Sequence, residues 1–384
     1  MDNKVYKIFV INPGSTSSKL SLYENEKEVL TEDIFHDAPV LLRYPTINDQ
    51  LPFRMEVLRD FLDRHDLKIS EMDAVVGRGG CCYPVESGVY YVDEQLVRDC
   101  HDCKSGVYHS SMLGVQMAWE LYKEHKCLTL MLDPTVMDEL DDLARITGVK
   151  GVYRRAATHA LNLKATARKH AKAIGKRYED CRFIVCHIDG GISVTAHKNG
   201  RQVDANNASG GEGPFSPTRM GGMAVTDIIN ELWDRPAAEM KKLCSHAGGL
   251  TSHFGTSDSD AIHARVDAGD PRATRVWNAM LYQTAKYIGE MAVVLEGRVD
   301  AIVLTGGLLR FDDVVETIRQ RCGWIAPIAT YPGENEQEAM ALGALRVLRG
   351  EEQPKTYTGR PVWEGFPDEN ESIANFSSQS SCSR

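Results

Sequence analysis

An arginine framed by glycines, Gly77-Arg78-Gly79-Gly80, closes the apolar stretch Met72 to Val76. An exposed guanidinium with bare backbone on either side suits a carboxylate or a phosphate. Asn12, Gly14, Ser15, Thr16, Ser17, Ser18 and Lys19 concentrate hydroxyls, a glycine and one cation at another chain reversal. Small side chains there leave amide N–H groups and hydroxyls free to meet phosphate oxygens, although a plain turn between strands has the same composition. His109 precedes Ser110 and Ser111, either of which can cap the apolar helix Met112 to Tyr122, and anions are favoured at such a terminus. Asp133 ends the apolar strand Cys127 to Leu132, where a carboxylate in an α/β fold faces the ligand crevice and can hold Mg²⁺ through water. Arg154, Arg155 and His159 open a helix reaching about Ile174. Arg219 is the only cation of Asn206 to Gly222, a Gly/Ser/Pro-rich loop whose length marks it as functional.

These groups need a frame. Ile8 to Asn12 reads as a buried strand broken by Pro13-Gly14, and Lys19 to Tyr23 alternates as its hairpin partner. The pattern returns at Arg182 to Val203: an apolar strand (Phe183 to Ile188), a polar residue with glycines (Asp189, Gly190, Gly191), then an alternating strand (Ser193 to His197). Two glycine-tipped hairpins half a chain apart predict a duplicated α/β domain that grips a polyphosphate from both sides. Ala301 to Gly307 is a third strand ending in paired glycines, Gly306 and Gly307, before the helical Phe311 to Arg321. It suits close approach of backbone to a flat ligand or phosphate. Helical patterns also cover Ile47 to Leu67, Arg275 to Glu296 and Gln337 to Leu348.

The 384-residue length allows two domains, and a formal net charge of −10 argues against a general nucleic-acid binder. No apolar run approaches the roughly 18 residues of a membrane span, and the first residues lead straight into a strand, so a cytoplasmic protein is expected. Ten cysteines, many within apolar segments, read as free thiols of a reducing compartment. Cys100-His101-Asp102-Cys103 has metal-ligand or redox spacing, but there is no second Cys-x-x-Cys to complete a tetrahedral set. From Glu351 the chain turns polar, and Ser377 to Arg384 reads as a disordered tail.

NPGSTSSK near the start, HIDGGIS followed by GEGPFSPTRMGG, then LTGGL and PGENEQEAMALGAL together resemble the acetate kinase family, specifically its butyrate kinase branch, within the actin and sugar-kinase superfamily. The resemblance runs in order from about Lys7 to about Leu348 and implies two duplicated ribonuclease-H-like (actin-like ATPase) domains with a nucleotide cleft between them. The first would comprise residues 1–132 with the returning helix in 337–354, the second 133–336, and 355–384 would be a tail.

The implied activity is reversible ATP-dependent phosphorylation of a short aliphatic carboxylate, butyrate first, to an acyl phosphate, with ATP/ADP and Mg²⁺ as cofactors. A homodimer is implied, with no nucleic-acid or membrane partner. A carboxylate with a pKa of about 4–5 is already ionised at neutral pH, so alignment and charge neutralisation replace a general base. By motif, Asn12, with Ser15, Thr16, Ser17 and Lys19, falls near the γ-phosphate. Arg78 falls on the substrate carboxylate, His109 beside the transferring group, and Arg219 on the second active-site arginine. Asp133 and Glu336 fall on the Mg²⁺ acids, with Glu338 one register away. His187, Asp189, Gly190 and Gly191 resemble the phosphate loop, and Gly306 and Gly307 the nucleotide turn.

Two departures stand out. Arg155 occupies the first position of the family's His-x-x-x-His, so it is a candidate for stabilising transition-state charge, with His159 supporting. Asp189 stands where the family has glycine, and its carboxylate would repel phosphate unless Mg²⁺ or an arginine lies close. Acetate, propionate and isobutyrate are alternative substrates, and a non-catalytic ATP-binding module is the alternative from another class.

Overall fold

Two sheets share one strand plan. The computed structural model describes residues 4–106 and 108–367. The first sheet contains β1 (Lys7–Pro13), β2 (Ser17–Glu24), β3 (Lys27–Phe35), β4 (Ala74–Gly77), β5 (Val89–Tyr91) and β6 (Thr129–Leu132), in the order β3-β2-β1-β4-β6-β5. The second contains β7 (Arg182–Ile188), β8 (Ile192–Lys198), β9 (Arg201–Ala205), β10 (Ala301–Gly306) and β11 (Ile328–Pro332), in the order β11-β10-β7-β8-β9. Reversed, the second order matches the first strand for strand, apart from β5. In each, three antiparallel strands are followed by two parallel strands added beside the first. The expected duplicated α/β architecture is therefore present.

Burial explains which strands were legible. Ile8 to Ile11 and Phe183 to Ile188 are almost wholly buried at the sheet centres, as expected of strands covered on both faces. β3 is different. It alternates exposed and half-buried positions with four charged residues in nine, the pattern of a guarded edge strand, and its sequence reads as polar connection.

Helices Leu51–Arg64 and Met112–His125 cover one face of the first sheet. Helix Glu336–Leu348 covers the other, packing Met340 and Ala344 on Ile8 and Val10. In the second half, Pro271–Val294 and Ala160–Ala173 lie on opposite faces. The long helix starts four residues before the Arg275 expected from periodicity, because Asp270 caps it by accepting from the amides of Arg272 and Ala273, and Pro271 suits the first turn. Among the described residues, no helix is long and apolar enough to cross a membrane.

The chain beyond Gln353 departs from expectation. Lys355 pairs with β5, and Tyr357 is buried, donating its hydroxyl to Asp99 at 2.9 Å. Trp363 stacks edge-on against Tyr153 and lies under the Arg145 guanidinium. A disordered segment thus does not begin at 355, where polar composition conceals the aromatic anchors Tyr357, Trp363 and Phe366; Ser377 to Arg384 lie outside the described residues. Deleting everything after Gln353 is expected to lower unfolding free energy by about 3 kcal/mol or more, since burial of Tyr357 alone is of that order. Urea unfolding of the truncated chain checks this, and unchanged stability would show that these contacts contribute little.

Candidate active site

Both hairpin tips lie at strand ends, and one short segment joins them. Between β11 and the last helix, Gly333 exchanges backbone hydrogen bonds with Gly306, and Gln337 donates to the Lys19 carbonyl and Ser21 Oγ. Glu334 and Glu336 consequently stand between the two halves.

Glu336 pairs with Arg78 and accepts from Asn12 Nδ2 at 3.0 Å, while Arg78 also donates to Asn12 Oδ1 at 3.2 Å. Burial pushes the Glu336 carboxyl up, but the Arg78 charge and the Asn12 hydrogen bond outweigh it and hold the group below the ordinary range. It is a buried carboxylate kept ionised by its partners.

The second half contributes His187, stacked on His159 with ring centroids 3.9 Å apart. His109 sits across from them. Desolvation pushes it down to about 4, with the Arg78 charge second and Arg219 also contributing. Both arginines likewise depress His159 and His187, so Arg78 and Arg219 reach the same space from opposite halves. All three rings are neutral at physiological pH and able to donate a hydrogen bond without competing for protons.

Arg219 packs against Gly191, where a Cβ would collide with its guanidinium, and its buried Nε has no partner. That guanidinium is positioned by packing and free to bind an anion. Asp189 bridges the glycine turns, accepting from the amide of Gly190 at 2.8 Å and of Gly307 at 2.5 Å. Gly306, at φ 109°, lies so close to the Ile188 carbonyl that no side chain fits. The carboxylate that looked out of place in a phosphate loop thus fastens β7 to β10.

The remaining expected residues divide. Lys19 faces the cluster closely enough to act on the Glu334 charge. Ser15 and Thr16 lie exposed at the first tip, with Ser17 beside them at the start of β2. Arg155 is exposed, with no bonded partner among the described residues, while Arg154 is held by Asp204 and Glu212; the helix starts only after His159 and leaves Arg155 in the loop. Asp133 is not joined to Glu336. Its carboxylate accepts from Ser87 Oγ at 2.7 Å, the Gly88 amide at 2.8 Å and Arg168 at 3.4 Å. Those three donors engage both oxygens of a residue that is 2 % exposed, and they hold it at the end of β6.

Two contributors escaped the sequence reading. Arg54 is fully buried and shapes the first tip, donating to the carbonyls of Ser17 and Gly14 and to Ser18 Oγ. An arginine on the apolar face of a helical pattern was the available signal. Glu334 joins His187 and Asp189 in a group whose ligand atoms lie within 4.8 Å of one another. Desolvation, then the like charges of Glu336 and Asp189, push its carboxyl up to about 7.

Buried histidines also govern acid stability. His36, His159 and His197 are pushed below their ordinary value chiefly by desolvation, His36 to about 4. Unfolded, they titrate near 6.5, so the unfolded chain binds more protons as pH falls. Their contribution is complete above about pH 6.5 and is lost toward the folded values. Urea unfolding at about pH 7.5 and about pH 5 should show lower stability in acid, each group adding at most about 1.4 kcal/mol per pH unit. Equal stability at both would contradict their neutral burial.

The fold is that of acetate kinase. The chain superposes on Porphyromonas gingivalis acetate kinase with TM-score 0.73 at 18% identity, covering 90% of this chain and 100% of that one. Entamoeba histolytica acetate kinase gives 0.71 at 15% identity, covering 90% and 98%. A propionate kinase from Francisella tularensis subsp. tularensis SCHU S4 gives 0.69 at 15%, covering 88% and 98%. Residues 144–321 match the Acetokinase family, a span that holds the second hairpin, Arg219 and the Gly306-Gly307 turn.

Proposed function

We propose that this chain transfers the γ-phosphoryl group of ATP to a short aliphatic carboxylate, butyrate first, and runs the reaction in both directions. The carboxylate oxygen forms a bond to the γ-phosphorus as the bond to the bridging oxygen of ADP breaks, leaving acyl phosphate and ADP. The observation that carries the reading is the convergence of Arg78 and Arg219 on neutral histidines, with Asn12 and the glycine turns around them. Nothing in that set need act as a general base, and a carboxylate nucleophile needs none. Arg78 would orient the acid, Arg219 would meet charge developing on the transferring group, and neutral His109 would donate to it. A bound Mg²⁺ would supply further neutralisation of the phosphates; the carboxylates between the halves are suitable oxygen donors. Cytoplasmic location and a homodimer belong to the same reading.

Acetate or propionate is the second reading, favoured by the fold shared with kinases named for those acids. A hydroxylamine trap for acyl phosphate, run with ATP and Mg²⁺ on acids from formate to hexanoate and on isobutyrate, decides. A maximum at butyrate supports the first reading and a maximum at acetate or propionate the second. No acyl phosphate from any acid rejects both.

A further inference from the structure

Four thiols that the proposed reaction does not use lie behind the arginine loop. Cys81 and Cys82 follow Gly80, while Cys100 and Cys103 stand at and just past the end of helix Glu94–His101; all four are buried and none is in a disulfide. They meet crosswise. Cys81 is in hydrogen-bonding contact with Cys103, and Cys100 with Cys82 and with the Gly80 amide. Each pair belongs to a different apolar cluster. A tetrahedral thiolate metal centre needs its sulfurs around one point, and among the described residues no three of these sulfurs lie within 4.8 Å of one another. The Cys-x-x-Cys spacing therefore serves two separate thiol pairs.

The pair of Cys81 and Cys103 is tied to the site. Cys81 Sγ donates to the His109 carbonyl at 3.6 Å, the Cys81 carbonyl accepts from the Ser105 amide at 3.1 Å, and Arg78 precedes Cys81 in the same loop. Both cysteines hold left-handed backbone, at φ 68° and 53°, where a side chain is strained and glycine is not. A residue retained only to fill apolar space has no reason to be cysteine at two such positions in mutual contact. We propose that Cys81 and Cys103 are a reversible modification site, oxidised by hydrogen peroxide to a disulfide that displaces Arg78 and His109.

Cys103 reacts first, since it is the least buried of the four at 5% exposure and is flanked by exposed Asp102 and Lys104. Its sulfur takes one peroxide oxygen as the O–O bond breaks, giving a sulfenic acid and water. The Cys81 sulfur then bonds to the Cys103 sulfur, the S–O bond breaks, and the Cys81 proton leaves with the hydroxyl as a second water. Two thiols lose two electrons and peroxide gains them. Burial pushes the Cys81 thiol up to about 12, so the second step is slow and the pair registers sustained oxidation. Disulfide sulfurs sit far closer than thiols in contact. Bond formation removes the proton given to His109 and pulls the segments bearing Arg78 and His109 toward each other.

Trypsin cuts after Arg78, Arg98 and Lys104, so peptide 79–98 carries Cys81 and Cys82 and peptide 99–104 carries Cys100 and Cys103. The full chain, treated with hydrogen peroxide, alkylated in denaturant and digested, should yield these two joined with the loss of two hydrogens, and dithiothreitol should release them. Cys103→Ala should abolish the link and Cys100→Ala should leave it. No link in the parent, or a link that survives Cys103→Ala, overturns the assignment. On the kinase reading, the linked chain should form acyl phosphate at least about tenfold more slowly than the reduced chain, with the rate restored by dithiothreitol and insensitive to peroxide in Cys103→Ala. Hydrogen exchange across 78–82 and 108–112 gives a readout independent of turnover and should quicken at least about threefold on oxidation. A linked chain with the rate and exchange of the reduced one overturns the displacement. The kinase reading fails separately: a link and faster exchange, with no acyl phosphate from any acid in the reduced chain, keep the thiol pair and remove the kinase.

Discussion

An Arg78→Ala protein should lose at least about 10²–10³ in turnover of the carboxylate, the usual cost of removing one preorganised charge-stabilising donor. It should also lose stability, for a separate reason. Arg78 is the ion-pair partner of Glu336, which is 8% exposed and held ionised mainly by that guanidinium. Removing one member of a buried pair strands the other charge at about 3–5 kcal/mol. The two losses come apart in a second variant. Arg78→Ala with Glu336→Gln leaves no stranded carboxylate, so most of the stability should return while turnover stays low. Urea unfolding and steady-state kinetics on the parent, both single variants and the double variant form the cycle. Turnover that returned with stability would reduce Arg78 to a structural residue. Turnover within tenfold of the parent in Arg78→Ala would remove it from the site altogether.

Much of this arrangement was legible because strand ends are local. Each hairpin tip is fixed by contiguous residues, so Asn12, Asp189, Gly190 and Gly191 could be placed at turns before any tertiary contact was known. The repeated strand plan follows from two matching apolar segments, which periodicity detects. Partnership was not legible in the same way. Asp133 and Glu336 are both acids near the ends of regular elements, yet one faces Ser87 and Gly88 beside the first sheet while the other crosses 324 residues to Asn12. Only the packed fold distinguishes them. Nothing within PGENEQ marks Glu334, since its significance lies in proximity to Asp189, distant in sequence. Arg54 is not legible because an amphipathic pattern says which face is buried but not that one buried position carries a cation satisfied by carbonyls. β3 and residues 355–367 share a cause. Charged or polar segments that lie on an edge or surface lack apolar periodicity even when their backbone or aromatic anchors are ordered.

Arg219 offers the cleaner separation of catalysis from folding. Its side chain makes no hydrogen bond or ion pair among the described residues, and desolvation lowers its proton affinity. Arg219→Ala therefore breaks no bond and removes a partly buried charge. Unfolding free energy should change by less than about 1 kcal/mol, or rise, while turnover falls by about 10²–10³. Gly191→Ala should reach the same end by another route. The added Cβ would overlap the guanidinium, so Arg219 must leave its seat, and Gly191 lies outside the positive-φ region, so alanine is not excluded by backbone strain. A drop of about tenfold or more is expected, since small misplacements of a charge-stabilising group are costly. The double variant should be no slower than Arg219→Ala alone, because a displaced side chain and a missing one leave the same gap. If the two losses multiply instead, Gly191 acts on the phosphate loop itself and not through Arg219.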